Sequence, residues 1–163
     1  MYNLHHEFLR RMFPEKRRKI GQEIDAYLAG YFDGEGSVSI LSWNKQKPWL
    51  VQIRITATNT HRQSLKTFQM AYGGKIRRAR KKGPHNKACY YWIAVAKDAH
   101  WALCHMLPWL QIKRRKASAA CSLLANRPPM DKYGSRAYSE RQKALAVKLL
   151  KRHGFIKIGN WGK

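Results

Sequence analysis

The distribution of charge along this chain constrains its fold more than any other feature of the sequence. The 163 residues carry 33 Lys and Arg against nine Asp and Glu, a formal net charge of +24 with a pI near 10.5. Between residues 36 and 97 there is no acid at all, although this stretch holds thirteen Lys and Arg. Because a solvated surface usually mixes both signs, such a stretch predicts a face turned towards an anionic partner. Nucleic acid is the first expectation, and generic solubility is the alternative.

The composition argues against other classes of protein. With 44% hydrophobic and 12% aromatic residues, the chain is expected to be globular. No apolar run approaches the roughly eighteen residues of a membrane span, and no signal peptide or lipidation motif is visible, so we expect an intracellular protein, in a prokaryote or an organelle. Cys89, Cys104 and Cys121 are widely spaced and form no CxxC or Cys/His motif. They predict buried thiols in a reducing compartment and no zinc site.

Periodicity and turn residues predict an α+β fold in the order helix, strand, strand, helix, strand, strand and further helices. The predicted helices are residues 22–33, 61–72, 98–106, 113–124 and 139–152, and the predicted strands are residues 37–43, 49–58, 75–80 and 88–95. We expect a basic arm or helix at 1–21, a core at 22–126, and a C-terminal helix and tail at 127–163.

The predicted strands alternate between two faces. In the second strand, Trp49, Val51, Ile53 and Ile55 point one way, and Gln52, Arg54 and Thr56 point the other. One sheet face is therefore expected to be core and the other polar, basic and aromatic, and such a ribbon fits the DNA major groove. The predicted DNA-contacting residues of this face are Gln52, Arg54, Lys75, Arg77, Arg80, Tyr90 and Trp92. For the two aromatic residues, a purely structural role is the alternative.

The first predicted helix has two faces that both look packed. On a wheel of about 100° per residue, one stripe is formed by large apolar side chains, and the opposite side by small ones. The stripe holds Ile24, Tyr27, Leu28, Tyr31 and Phe32, and the opposite side holds Ala26, Ala29, Gly30 and Asp33. Small residues let another helix approach closely, and such packing would offset the roughly 1 kcal/mol that Gly30 costs in mid-helix.

Two carboxylates stand at the end of this helix. Asp33 lies in its last turn, Glu35 just beyond, and Gly34 and Gly36 permit a tight exit of the chain. The C-terminal end of a helix is the negative end of its dipole, so acids there need a nearby cation. The arrangement suits a divalent cation with oxygen ligands, such as Mg²⁺.

At this helix end, the sequence resembles a known motif. Residues 28–36 read LAGYFDGEG, which matches five of the nine residues of the LAGLIDADG motif of homing endonucleases. Two further segments are similar to that family: residues 58–60, which lead a helix into residues 73–76, and residues 107–117, which resemble the segment carrying an active-site lysine. The resemblance spans roughly residues 22–125.

The resemblance implies an αββαββα fold with additional C-terminal helices. It also implies a homodimer, because members with one motif pack their motif helices against each other on a two-fold axis. The residues expected at the helix end and dimer interface are Ala26, Ala29, Gly30, Asp33 and Gly34, with Asp33 as a structural acid. A symmetric dimer predicts a long pseudo-palindromic site on double-stranded DNA.

The chemistry implied by the resemblance is metal-dependent hydrolysis of both DNA strands, which leaves short 3′ overhangs. Glu35 would bind the divalent cation, which is Mg²⁺ or another ion such as Mn²⁺, or Ca²⁺ bound without turnover. Lys113 would stabilise charge on the phosphate, and Asn59, or else Thr58 or Ala57, would position the attacking water. For Asn59, capping of the following helix is an equal alternative. The residues expected to contact phosphates are Arg114, Arg115 and Lys116.

Two other functions remain open at this point. One is an RNA-binding intron maturase with intron RNA as its partner, and the other is a non-catalytic DNA-binding protein of the same fold. The predicted ribbon favours DNA, because the major groove of A-form RNA is too deep and narrow to read.

Overall fold

The computed structural model of the protein describes residues 21–42, 46–79, 87–129, 132 and 136–152, and over them the predicted element order is confirmed. The helices are α1 (Gln22–Glu35), α2 (Arg62–Tyr72), α3 (Ala96–Met106), α4 (Arg114–Ala125) and α5 (Glu140–Arg152). The strands are β1 (Gly36–Ser42), β2 (Val51–Asn59), β3 (Lys75–Arg78) and β4 (Tyr90–Val95). Within this part of the chain, no helix has the length and apolarity that crossing a bilayer requires.

The four strands form one antiparallel sheet in the order β1-β2-β4-β3. Its register places Ile55 of β2 between Val38 of β1 and Ala94 of β4, and all three side chains are buried. The alternation predicted for β2 is confirmed, because Val51, Ile53, Ile55 and Ala57 are buried while the residues between them are not. The sheet therefore has one core face, which the helices cover, and one open face.

The orientation of β4 differs from the prediction. Trp92 is fully buried, stacks on Phe68 with 4.8 Å between ring centroids, and donates from Nε1 to the carbonyl oxygen of Gly73 at 2.8 Å. Tyr90 lies on the same face and packs against the core. Trp92 as a DNA-contacting residue is therefore wrong, and Tyr90 is turned away from the open face, which carries Tyr91 instead. The sequence does not reveal this orientation because β4 presents apolar or aromatic residues on both of its faces.

The turn between α2 and β3 requires glycine. Gly73 and Gly74 have φ angles of +78° and +80°, which side chains rarely tolerate. At Gly74, an added Cβ would also lie 2.5 Å from the carbonyl oxygen of Ile93. The predicted stop of this helix at the two glycines is confirmed.

A buried polar cluster joins the first three helices. Asp25 of α1 accepts a hydrogen bond at 2.7 Å from the hydroxyl of Tyr72 of α2, and its other oxygen lies 3.0 Å from Nδ1 of His105 of α3. Burial, and then the Asp25 carboxylate, raise the pKa of Tyr72, so its hydroxyl stays protonated and donates. This cluster fixes the beginning of α1 in the core.

Candidate functional site

The exit from α1 is tight at Gly36 but not at Gly34, where an added Cβ would meet no atom within 4 Å. The N–H of Gly36 bonds the carbonyl oxygen of Phe32, and an added Cβ at Gly36 would overlap the ring and carbonyl of Phe32. Only glycine therefore lets β1 begin directly after α1. As a result Glu35, the last residue of α1, is exposed beside the first strand of the sheet.

Asp33 binds the segment that precedes α4. Its side chain is 8% exposed, and its carboxylate accepts hydrogen bonds from the backbone N–H groups of Gln111 (2.6 Å), Ile112 (3.1 Å) and Lys113 (2.9 Å). Burial raises the pKa of Asp33, but these bonds outweigh it and hold the pKa below its usual value. Asp33 is thus engaged within its own chain, as expected of a structural acid at the helix end, and it is not turned towards a second chain.

Lys113 is brought to the same helix end. Its Nζ donates to the main-chain carbonyl oxygen of Asp33, two residues before Glu35, and its backbone N–H bonds the Asp33 carboxylate. A cation there is favourable because carbonyl groups at a helix C-terminus carry partial negative charge. The fold therefore assembles, at one end of α1, residues that lie 80 positions apart in the sequence.

Asn59, at the end of β2, has both ends of its amide engaged. Nδ2 donates to the hydroxyl of Tyr31 at 2.6 Å, and Oδ1 accepts from the N–H of His61 at 2.8 Å. His61 occupies the N-cap position of α2, so Asn59 supports that helix start without being its cap. Of the two alternatives, Ala57 is fully buried, whereas Thr58 is exposed on the open sheet face.

The two faces of α1 differ from the predicted wheel. Ala29 is fully buried in the core of its own chain, whereas Ile24 and Tyr27 are 42% and 59% exposed. Gly30 and Gly34 are also exposed, with no atom within 4 Å of an added Cβ. The interface assignment of Ala29 is therefore wrong, and Ala26 is half-buried at the margin. We call Ile24, Tyr27, Gly30 and Gly34 the free face of α1.

The open face of the sheet gathers most of the predicted DNA contacts. Across the sheet, Ile93 of β4 pairs with Lys75 of β3 and with Thr56 of β2. Tyr91 of β4 pairs in the same way with Arg77 of β3 and with Thr58 of β2. The side chains of Lys75 and Arg77 are exposed, those of Gln52, Arg54 and Tyr91 are half-buried, and Arg80 lies outside the described residues. Nε of Arg54 is buried and has no hydrogen-bond partner in the described part of the chain.

The beginning of α4 adds further cations beside Lys113. Arg114 and Arg115 are exposed, whereas Lys116 is half-buried, and burial lowers its pKa. Two large apolar side chains that the sequence analysis missed lie next to them: Ile112 is 78% exposed and Trp109 is 40% exposed. Exposed apolar side chains beside a cluster of cations are typical of a binding surface.

Comparison with known proteins identifies the fold. No family model and no curated protein match this sequence. Among solved structures, the chain is similar to homing endonuclease I-CvuI in complex with the I-CreI target in the presence of Mg. The TM-score is 0.59 at 20% identity, over 87% of this chain and 87% of that chain. I-CvuI in complex with its own target in the presence of Ca gives a TM-score of 0.50 at 20% identity, over 83% of this chain and 97% of that chain. The predicted homing-endonuclease fold is confirmed.

We expect Asp33→Asn to lower the free energy of unfolding by about 2 kcal/mol at neutral pH, because an amide replaces a carboxylate that accepts three N–H groups. The pKa of Asp33 lies below its usual value. Its contribution is therefore complete above about pH 4 and is lost as the pH falls through the lower folded-state pKa. Urea unfolding of both proteins, at pH 7 and in increasing acid, measures this. A difference in unfolding free energy between the two proteins that stays constant down to the lowest pH would contradict this prediction.

Proposed function

We propose that the protein is a single-motif member of the LAGLIDADG homing endonuclease family and cuts double-stranded DNA at a specific site as a homodimer. The observation that carries this proposal is the end of α1, where Glu35 is exposed and the ammonium of Lys113 binds the carbonyl oxygen of Asp33, two residues before Glu35. The fold of DNA-bound I-CvuI supports it, since this chain shares that fold.

The residues at this helix end fit a hard divalent cation. Glu35 offers an exposed carboxylate, and Mg²⁺ is usually held by one or two carboxylates together with water and substrate phosphates. Asp33 is not available as a ligand, because three backbone N–H groups occupy its carboxylate. When bound, Mg²⁺ or Mn²⁺ would neutralise charge on the phosphate and polarise it. In a dimer, Glu35 of each copy would contribute one carboxylate.

Lys113 and Asn59 would support the chemistry in different ways. With one proton of its ammonium donated to Asp33, Lys113 has two more to offer a phosphate whose negative charge increases during cleavage. Asn59 would hold Tyr31, and with it the end of α1. To position water, Asn59 would have to release one of its two present partners, so exposed Thr58 remains the alternative for that role.

The free face of α1 would form the dimer surface, and it retains Gly30 and Gly34 from the predicted interface. Exposed Ile24 and Tyr27 would gain from burial, and Gly30 and Gly34 would let the same helix of a second copy approach closely. Packing of α1 against itself about a two-fold axis would bring the two Glu35 residues to the centre of the complex. The target would then be pseudo-palindromic.

The open sheet face would lie in the major groove. Gln52, Arg54, Lys75 and Arg77 carry the donors and acceptors that read base edges there. Tyr91 takes the place first predicted for Tyr90 and Trp92, because it lies on the open face and is paired with Arg77 on one side and Thr58 on the other. Arg114, Arg115 and Lys116 would contact phosphates, and Arg80 is retained as a further candidate.

The first experiment incubates the full chain and Mg²⁺ with a randomised duplex library, followed by sequencing of the cleaved ends. We expect pseudo-palindromic sites with short 3′ overhangs. Glu35→Gln should bind the same sites but cut them at least about a thousandfold more slowly, and Lys113→Met about a hundredfold to a thousandfold more slowly. Glu140→Gln, which removes an exposed acid on α5, should cut normally.

The other outcomes of this experiment separate the alternatives. Binding without cleavage by wild type and Glu35→Gln alike would make the protein a non-catalytic DNA-binding protein. Failure to select any duplex would favour an intron maturase, and assays would then move to intron RNA.

The dimer is tested by Gly30→Leu. Because space around Gly30 is open within one chain, this substitution should leave the fold intact but prevent close approach of two α1 helices. Sedimentation equilibrium should show a dimer for the wild type and a monomer for Gly30→Leu. Ala144→Leu, a similar enlargement on exposed α5, should remain dimeric. A dimer that survives Gly30→Leu would place the interface elsewhere.

The open face is tested by Arg77→Ala and Tyr91→Ala. Each should weaken DNA binding about tenfold, the loss that corresponds to one good contact of 1–3 kcal/mol. If Arg77 contacts a phosphate, its removal should also reduce the slope of log affinity against log salt by about one, whereas Tyr91→Ala should leave this slope unchanged. Trp92→Ala is the contrast, since it should destabilise the core by about 3–5 kcal/mol. If Arg77→Ala and Tyr91→Ala bind DNA with unchanged affinity, the DNA binds another surface of the protein.

A further inference from the structure

Three side chains with metal-ligating chemistry meet in the core between α3 and α4. His100 and Cys104 lie one turn apart on α3, and Cys121 lies on α4. All three are at most 5% exposed, and their ligand atoms lie within 4.8 Å of one another. No zinc site was predicted from the sequence, because the cysteines form no CxxC or Cys/His motif. Cys104 and Cys121 are 17 positions apart, and only the packing of the two helices brings them together.

The distances suit a small cation. The Sγ atoms of Cys104 and Cys121 are 3.6 Å apart, close to the separation of about 3.8 Å expected for two thiolates on one tetrahedral Zn²⁺. An ion between the three ligand atoms would lie at most about 2.6 Å from each, so shifts of a few tenths of an ångström would give normal Zn–S and Zn–N distances. A disulfide would need a much larger approach, since its S–S bond is about 2.05 Å.

The electrostatics of a buried site also favour a divalent cation. Binding of Zn²⁺ would release one proton from each thiol to solvent, and two thiolates with one Zn²⁺ have no net charge. A neutral cluster is the charge state that burial tolerates, and a thiolate–imidazole set prefers Zn²⁺ over the hard cation proposed at Glu35.

We propose that His100, Cys104 and Cys121 form a Zn²⁺ site that ties α3 to α4. The connection between these helices contains residues 107–113, and it is this connection that Asp33 and Lys113 hold against the end of α1. A Zn²⁺ ion would therefore hold together the two helices that flank the segment carrying Lys113. This inference does not depend on the proposed nuclease function.

The full chain is first reduced and freed of metal with a chelator. Zn²⁺ is then titrated into it in competition with a chromophoric chelator, and thermal unfolding is followed with and without Zn²⁺. We expect one tightly bound Zn²⁺ per chain and a higher Tm with Zn²⁺. Cys104→Ser and Cys121→Ser should weaken Zn²⁺ binding at least tenfold. Cys89→Ser changes a half-buried cysteine outside the cluster, and it should bind Zn²⁺ as the wild type does.

A second readout guards against loss of folding in the buried cysteine variants. Co²⁺ bound in place of Zn²⁺ should give a thiolate-to-metal charge-transfer band in the wild type and in Cys89→Ser, and the band should disappear in Cys121→Ala. Equal Zn²⁺ affinity for all variants, absence of the band in the wild type, or recovery of Cys104 and Cys121 as a disulfide from the purified chain would each overturn the proposal.

Discussion

The arrangement of the candidate site depends on the hydrogen bonds that the carboxylate of Asp33 accepts. A helix C-terminus normally disfavours an acid, yet here three backbone N–H groups ahead of α4 offset that cost. The same residue accepts the ammonium of Lys113 at its main-chain carbonyl. Asp33 therefore joins α1 to the connection between α3 and α4 through both its side chain and its backbone, and Glu35, two residues further along the chain, stays exposed.

A second buried acid completes the placement of α1. Asp25 binds Tyr72 and His105 near the beginning of the helix, as Asp33 binds residues 111–113 near its end. Both carboxylates lie on the core side, which explains why a hydrophobicity wheel gave the wrong rotation. The wheel placed Asp33 with the small residues opposite the core, whereas here fixed hydrogen-bond donors in the core accommodate both acids. The opposite side, with Ile24, Tyr27 and two glycines, is the one left unpacked.

Local patterns predicted the fold class, the order of the elements and the turn glycines, because each of these is encoded within a few neighbouring residues. The faces of β2 were predictable because apolar and polar residues alternate there, and the faces of β4 were not because Tyr91 and Trp92 look alike in a pattern. Contacts between distant segments, such as Cys104 with Cys121, depend on helix packing that no local pattern contains. The roles of Glu35, Lys113 and Asn59 in catalysis remain predictions.

The distribution of charge would give the proposed dimer and the proposed DNA-binding surface one common explanation. Four of the nine acids of the chain lie in α1, which contains no Lys or Arg. Two chains of net charge +24 repel each other, and this repulsion is weakest where their acidic helices face one another. Dimerisation through the free face of α1 would bring the least basic element of each chain together and turn the acid-free sheets towards phosphate. The Glu35 carboxylates brought together at the centre would repel each other, and a bound divalent cation would remove that repulsion.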